Sequence, residues 1–238
     1  MEWTETGFIL GTRRHGETST IVEGLTRDRG RVMGLVKGGR GSRWRSVLQA
    51  GNKVGFTWRA RLPEHLGMFT LEADRLRAAE LMDHRLALAA LNTLNALIRL
   101  IPERDPHPLI FDLYDHIWQA LPEQPGWPAD IVRFELLLLQ ELGFGLDLAS
   151  CAVTGAADDL IYVSPKSGRA VSRTAGEPYR DRLLALPRFM LDDTAMAESA
   201  LALAQGFQLT AFFLDRDVYR PRNLEPPQAR EALLRLLV

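Results

Sequence analysis

Residues Lys53 to Arg61 read Lys-Val-Gly-Phe-Thr-Trp-Arg-Ala-Arg, and this stretch decides how the N-terminal part of the chain folds. Val54, Phe56 and Trp58 alternate with polar or small residues. Because successive side chains of a strand point to opposite faces, the alternation predicts a strand with one buried face and one exposed face. Trp58 lies on the apolar face and is therefore expected in a core.

Four other segments before residue 76 are also short and rich in β-branched and aromatic residues, with turn-forming clusters between them. They are Thr6–Gly11, Ser19–Thr26, Arg31–Val36 and Gly67–Glu72. Five such strands in about 75 residues predict a small closed or half-closed barrel. An oligonucleotide-binding (OB-fold) barrel and an SH3-like barrel fit this count equally well.

Beyond Leu76 the apolar residues recur with a helical period. The pattern predicts helices over residues 76–101, 108–121, 129–142, 180–186, 194–214 and 227–237. Two short strands, Leu160–Val163 and Arg169–Ser172, form a predicted hairpin between the helices. The expected fold class is thus an α+β multidomain chain.

The predicted domains differ in charge, although the whole chain is nearly neutral. Residues 1–77, the expected five-stranded barrel domain, contain 14 basic and 8 acidic side chains, and 12 of the basic ones are arginine. Residues 78–238, the expected helical domain with a hairpin insertion at about 151–174, contain 15 basic and 22 acidic ones. This asymmetry indicates a polyanionic partner for the first domain, and the planar arginine fork suits phosphate.

The most basic stretch is Lys37 to Arg45, which holds four cations, three glycines and one tryptophan but no carboxylate. Cations on a flexible backbone can follow a run of phosphates, and an indole can stack on a base. A merely solvated basic loop is the alternative. We predict a DNA-binding surface, in which Trp44 stacks on bases and Arg27 and Arg31 play a supporting part. Its residues are Arg13, Arg14, Arg27, Arg31, Lys37, Arg40, Arg43, Trp44 and Arg45.

Motifs that would indicate catalysis are missing from the sequence. It has no Gly-x-Ser-x-Gly elbow, His-Glu-x-x-His pair, Walker loop or dinucleotide fingerprint, and its five histidines are scattered. We therefore expect a protein that is not an enzyme. The single cysteine, the charged N-terminal residues and the lack of an 18-residue apolar run predict a cytoplasmic protein outside the membrane.

Several short segments, taken in their order and spacing, resemble a known family over nearly the whole chain. They are Arg14–Ser19, Leu25–Arg27, Lys37–Arg40, Phe134–Leu136, Leu142–Phe144, Cys151–Gly155 and Val163–Val171. The chain resembles the bacterial recombination mediator RecO. This resemblance implies an N-terminal OB-fold barrel followed by a helical domain, in agreement with the patterns above.

The resemblance also implies a function without turnover, close to the nucleoid. RecO-like proteins bind single- and double-stranded DNA and anneal complementary strands. With RecR they help RecA to displace single-strand-binding protein during gap repair. Some members carry a four-cysteine zinc module. Here only Cys151 is present, with Thr154, Ser172 and Ala175 at the matching positions, so we expect neither zinc nor another cofactor.

The acidic helical domain is expected to bind protein rather than DNA. Single-strand-binding protein typically ends in an acidic tail with a terminal Phe, so its receptor needs an apolar pocket rimmed by cations. The candidate receptor residues are Arg133, Phe134, Arg99 and Arg104. For Arg133, an ordinary surface charge is an equally good interpretation. RecR is expected to contact the N-terminal domain.

Two other classes of function fit parts of the pattern. An adaptor or regulator without annealing activity would use the β domain to bind RNA or a protein, with selectivity for sequence or structure. A hydrolase acting on nucleic acid would need grouped carboxylates in the basic domain. We reject the hydrolase because the eight acids of residues 1–77 are dispersed.

Overall fold

The computed structural model describes residues 1–192 and 194–237, which divide into two compact units. The first unit contains residues 1–122 and 229–237, and the second contains residues 123–228. The change from strands to helices falls between Arg75 and Ala78, inside the first unit. The predicted boundary after residue 77 therefore marks a change of secondary structure, and as a domain boundary it stays a prediction.

Five strands close into a barrel in the first unit. They are β1 (Glu2–His15), β2 (Ser19–Thr26), β3 (Gly30–Val36), β4 (Lys53–Arg59) and β5 (Met68–Arg75). Their order around the barrel is β1-β2-β3-β5-β4, and β1 pairs antiparallel with both β2 and β4. Strands β3 and β5 are parallel and share the single pair Leu35–Met68. This arrangement is that of an OB-fold barrel, which resolves the choice that the sequence left open.

The barrel core consists of the apolar faces of its strands. Val54, Phe56 and Trp58 are all buried, which confirms the alternation in β4. The rings of Phe56 and Phe69 meet edge to face with their centroids 5.1 Å apart. The indole Nε1 of Trp58 donates to the carbonyl of Leu66 at 3.0 Å, so its polar atom is satisfied inside the barrel.

The remaining elements are helices and one small sheet. The helices are α1 (Ala78–Asp83), α2 (Arg85–Ile98), α3 (Pro108–Ala120), α4 (Trp127–Glu141), α5 (Arg173–Gly176), α6 (Ala200–Phe213) and α7 (Gln228–Leu237). The sheet has the order β7-β6-β8, with β6 (Leu160–Val163), β7 (Ala170–Ser172) and β8 (Leu184–Ala185). The helix predicted over 76–101 is divided at His84. Within the described residues, no helix is long and apolar enough to span a membrane.

Helix α3 packs against the outer side of β1 through aromatic rings. The ring of Phe8 lies 4.8 Å from that of Tyr114 and 5.2 Å from that of Trp118, measured between centroids. The Tyr114 hydroxyl donates to Asn95 Oδ1 at 2.7 Å, and burial raises the pKa of this tyrosine well above its ordinary value. These contacts explain why the first helices belong to the same compact unit as the barrel.

In the second unit the structure confirms the predicted hairpin and corrects one helix. The hairpin pairs Leu160 with Ser172 and Val163 with Ala170. The helix predicted over 180–186 is wrong: residues 177–182 form a 3-10 turn and β8 pairs with β6. The apolar run there is shorter than a stable helix needs and supplies an edge strand instead. The helix predicted from residue 194 begins at Ala200, where the Ser199 hydroxyl caps it.

Asn52 links the barrel to the first helix. Its Nδ2 donates to the carbonyls of Ser46 at 2.7 Å and Val47 at 2.9 Å, and its Oδ1 accepts from the Ala78 N–H at 2.9 Å. The side chain is fully buried. Because buried polar groups must be satisfied, one amide fixes both the loop before β4 and the start of α1.

Replacing Asn52 with alanine should lower the free energy of unfolding by about 2 kcal/mol, because the buried Ala78 N–H and the part-buried carbonyls of Ser46 and Val47 lose their partner. Urea denaturation measures this change. Asn92→Ala, an exposed position of α2, is the matched control and should change stability by less than about 0.5 kcal/mol. Equal effects of the two substitutions would contradict the assigned role of Asn52.

Candidate nucleic-acid interface

The basic loop, residues 37–45, leaves the end of β3 and contains a short 3-10 turn at Ser42–Trp44. The backbone N–H of Arg40 donates to the carbonyl of Thr18 at 3.1 Å, so the loop is held against the turn between β1 and β2. The Arg40 guanidinium also donates to the carbonyl of Glu17. The loop is therefore tied to the barrel while its cationic side chains remain exposed.

Strand register brings the end of β1 beside this loop. Arg14 pairs with Thr20 of β2, and Thr20 pairs with Val36, the last residue of β3. Lys37 follows directly. The structure thus brings Arg13 and Arg14 to the same end of the sheet as the basic loop, as the prediction requires.

Six of the predicted cations share this end of the barrel and are exposed, and we call them the basic face. They are Arg13, Arg14, Lys37, Arg40, Arg43 and Arg45. In the part of the chain that the structure describes, none of the six forms an ion pair with a carboxylate. Unneutralised guanidinium and ammonium groups on one small surface attract a polyanion and release its counterions on binding.

The Trp44 side chain packs inward and anchors the basic loop. It is half-buried and packs against the barrel core. The Arg43 guanidinium lies over its ring, 5.1 Å from the centroid. One face of the indole is therefore engaged within the protein, and its stacking on a base stays a prediction.

The two supporting arginines already have carboxylate partners. Arg27 donates through Nε and Nη2 to the two oxygens of Asp112, each at 2.9 Å, and these hydrogen bonds lower the pKa of that carboxyl. Arg31 is 14% exposed and pairs with Glu23 at 3.0 Å. Both charges are therefore balanced locally, and the supporting part of these two arginines in DNA binding stays a prediction.

Arg99 and Arg104, predicted to receive a partner's tail, both belong to the first unit. Arg99 donates through Nε and Nη2 to Glu23 at 2.9 and 2.8 Å. Arg104 donates to backbone carbonyls of the loop before β5, including that of His65 at 2.8 Å. Glu23 could not be predicted as a partner of these arginines, because Arg31 and Arg99 are 8 and 76 residues away along the chain.

Arg133 and Phe134 lie in α4 of the second unit. The Arg133 guanidinium pairs with Asp130 at 2.7 Å and donates to the carbonyls of Phe189, Asp192 and Ala195. Its side chain is 10% exposed, so it is not an ordinary surface charge. Phe134 is fully buried. Its ring lies in the helical core, and its part in binding a partner's tail stays a prediction.

The residues at the cysteine positions of a zinc module do not form a set of metal ligands. The Cys151 sulfur accepts a hydrogen bond from the Ser172 N–H at 3.3 Å. Burial raises the pKa of this thiol, but hydrogen bonds from Ser172 and Thr154 outweigh it and bring the pKa to about 6. Structural zinc needs about four ligands, and one sulfur beside hydroxyl and methyl groups does not fit it. Across residues 1–192 and 194–237, no cluster of three or more His, Cys, Asp or Glu could hold a metal ion.

Fold and surface together define a class of protein. It is an OB-fold domain with an exposed basic face, joined to a helical region. Comparison with known families agrees. The family model described as "Recombination protein O N terminal" matches residues 1–73, and "Recombination protein O C terminal" matches residues 82–225. The chain belongs to the RecO family of DNA repair proteins.

Curated relatives of this family align with nearly the whole chain. "DNA repair protein RecO" of Rhizobium rhizogenes is 52% identical over 234 residues, which are 98% of this chain and 90% of that protein. The protein of the same name from Mesorhizobium japonicum is 51% identical over 237 residues, covering 100% of this chain and 94% of its own length. The resemblance predicted from short motifs is thereby confirmed.

Replacing Arg40, Arg43 and Arg45 together with alanine should weaken binding of a single-stranded oligonucleotide at least about tenfold. The slope of log K against log salt should become shallower by about 2, because each lost phosphate contact removes about 0.7. Fluorescence anisotropy across a salt titration gives both values. The matched control replaces three exposed arginines of the second unit, Arg173, Arg180 and Arg182. Equal losses in the two triple variants would contradict the placement of the basic face.

Proposed function

We propose that this chain is a recombination mediator that binds single- and double-stranded DNA without turnover and anneals complementary strands. With RecR, it helps to load RecA onto DNA coated by single-strand-binding protein, in the cytoplasm at the nucleoid. The observation that carries the proposal is the basic face: six exposed cations at one end of an OB-fold barrel, for which residues 1–192 and 194–237 provide no carboxylate partner. Membership of a DNA repair family supports it.

The arrangement of the basic face suits annealing because it favours phosphate over base contacts. Its cations stand on strand ends and on a loop that is fixed to the β1–β2 turn by backbone hydrogen bonds. Such groups neutralise phosphates irrespective of sequence, so that two strands can approach each other while their base edges remain free. Each contact is weak, and a strand can therefore shift until its partner pairs with it.

The tail of single-strand-binding protein is proposed to bind in the second unit. An apolar groove of about 300 Å³ is lined there by Pro125, Pro128, Met196 and Leu203, among others. Arg133 donates to the carbonyl of Ala195, the residue before Met196. We propose that Arg133 positions this wall of the groove, and that the terminal Phe of the tail enters it. For RecR, the proposed contact is the N-terminal domain.

An annealing assay tests the proposed function directly. Two complementary oligonucleotides, one with a fluorophore and one with a quencher, should pair at least about tenfold faster with the protein than without it at low salt. The acceleration should disappear at high salt, because screening and counterions compete for the same phosphates. An oligonucleotide pair without complementarity controls for aggregation. Tight binding without any acceleration would contradict the mediator and favour an adaptor.

A further inference from the structure

A second positively charged feature adjoins the basic face in the first unit. It is a cleft of about 370 Å³ between the outer face of β1–β3 and the C-terminal end of α2. Arg13, Arg31 and Arg99 contribute guanidinium groups to its lining, and Glu23 contributes a carboxylate. Three cations around one anion leave the cleft positively charged, so it suits an anionic ligand.

Glu23 organises two of these arginines but leaves the third free. Its Oε1 accepts from Arg31 Nη1 at 3.0 Å, and its Oε2 accepts from both Nε and Nη2 of Arg99. Glu23 and Arg31 are each 14% exposed, whereas Arg99 is 44% exposed. Among the described residues, Arg13 has no carboxylate partner. The charge that remains available is therefore on Arg13 and Arg99.

The Arg99 guanidinium is held in place before any ligand binds. Besides its two bonds to Glu23, its Nη2 donates to the carbonyl of Leu10 at 3.2 Å. It lies directly over Gly11, where β1 has an irregular register: a Cβ at Gly11 would come within 2.8 Å of Arg99 Nη2. Its Nη1 has no protein partner among the described residues. A fork fixed on one side and open on the other offers donors without further loss of conformational freedom.

We propose that this cleft binds one phosphate group of the DNA backbone, with Arg99 and Arg13 donating to its oxygens. The inference rests on the proposed function. It extends the DNA-binding surface beyond residues 1–77 to Arg99, at the C-terminal end of α2. Arg13 belongs both to the cleft and to the basic face, so a strand on that face reaches Arg99 without a break in positive charge. The apolar side chains of Ile21 and Met33 line the cleft and give the sugar a surface to contact.

A DNA phosphate suits the cleft better than the carboxylates of an acidic protein segment. The planar arginine fork matches a carboxylate and a phosphodiester alike, but the phosphates of a DNA strand continue from the cleft along the adjoining cations of the basic face. An isolated carboxylate is already present in Glu23, which occupies the inner side of the fork. Arg13 lines the same cleft as Arg99 and is followed in β1 by Arg14 of the basic face.

Two substitutions test the subsite in the full-length protein. Arg99→Gln removes the fork and should weaken binding of a mixed-sequence single strand about three- to tenfold, with a salt slope shallower by about 0.7. Gly11→Ala keeps every charge but displaces the fork, and should weaken binding in the same direction, about two- to fivefold. Arg59→Gln is the control, since it removes one exposed, ion-paired arginine from β4 outside the cleft. Circular dichroism and thermal denaturation check that each variant is folded.

The outcomes separate the subsite from the proposed function. If the wild-type protein does not bind DNA at low salt, the proposed function fails and the subsite with it. If the wild type binds and both variants bind as Arg59→Gln does, only the subsite is overturned. A hexaglutamate peptide serves as the carboxylate probe. Loss of peptide binding in both variants, with DNA binding intact, would overturn the phosphate assignment in favour of an acidic protein segment.

Discussion

Closure of five strands around one apolar core is the constraint on which the rest of the structure depends. Every barrel strand has one face in the core, with Phe56, Trp58 and Phe69 among the buried rings. The charged residues of these strands must therefore point outward or stand at strand ends. Because β1 also carries Phe8 toward α3, the same strand joins the barrel to the first helices. The basic face lies at strand ends and on a loop of the barrel, away from the core and from the contact with α3.

The structure divides its arginines into two groups that the sequence does not distinguish. One group pairs with carboxylates and holds elements together, as Arg27 does with Asp112 and Arg31 with Glu23. In the other group, which includes Arg13 and the cations of the basic loop, the described residues provide no carboxylate partner. Exposed ion pairs contribute little to stability, but they remove charge from a binding surface. A polyanion would therefore bind the positive charge that is not balanced by carboxylates at one end of the barrel.

Much of the fold follows from local sequence periodicity, and most of what escapes prediction depends on distant contacts. Strand β2 is predicted with its observed bounds, because a short segment rich in β-branched residues between two turn-forming clusters is a local signal. The two-residue strand β8 has no such signal and exists only through its pairing with β6. At the site, the position of the basic loop was predictable from composition. The pairing of Glu23 with Arg99 was not, because it joins residues 76 positions apart.

The most direct test of the central claim is a salt titration of single-stranded DNA binding by the intact protein, with several unrelated sequences of one length. If the basic face binds phosphates, log K falls linearly with log salt at a slope of about −4, because six cations contribute about −0.7 each. All sequences then bind with similar affinity. Binding that is insensitive to salt, or that depends strongly on sequence, would contradict the account, because cations on phosphates produce neither.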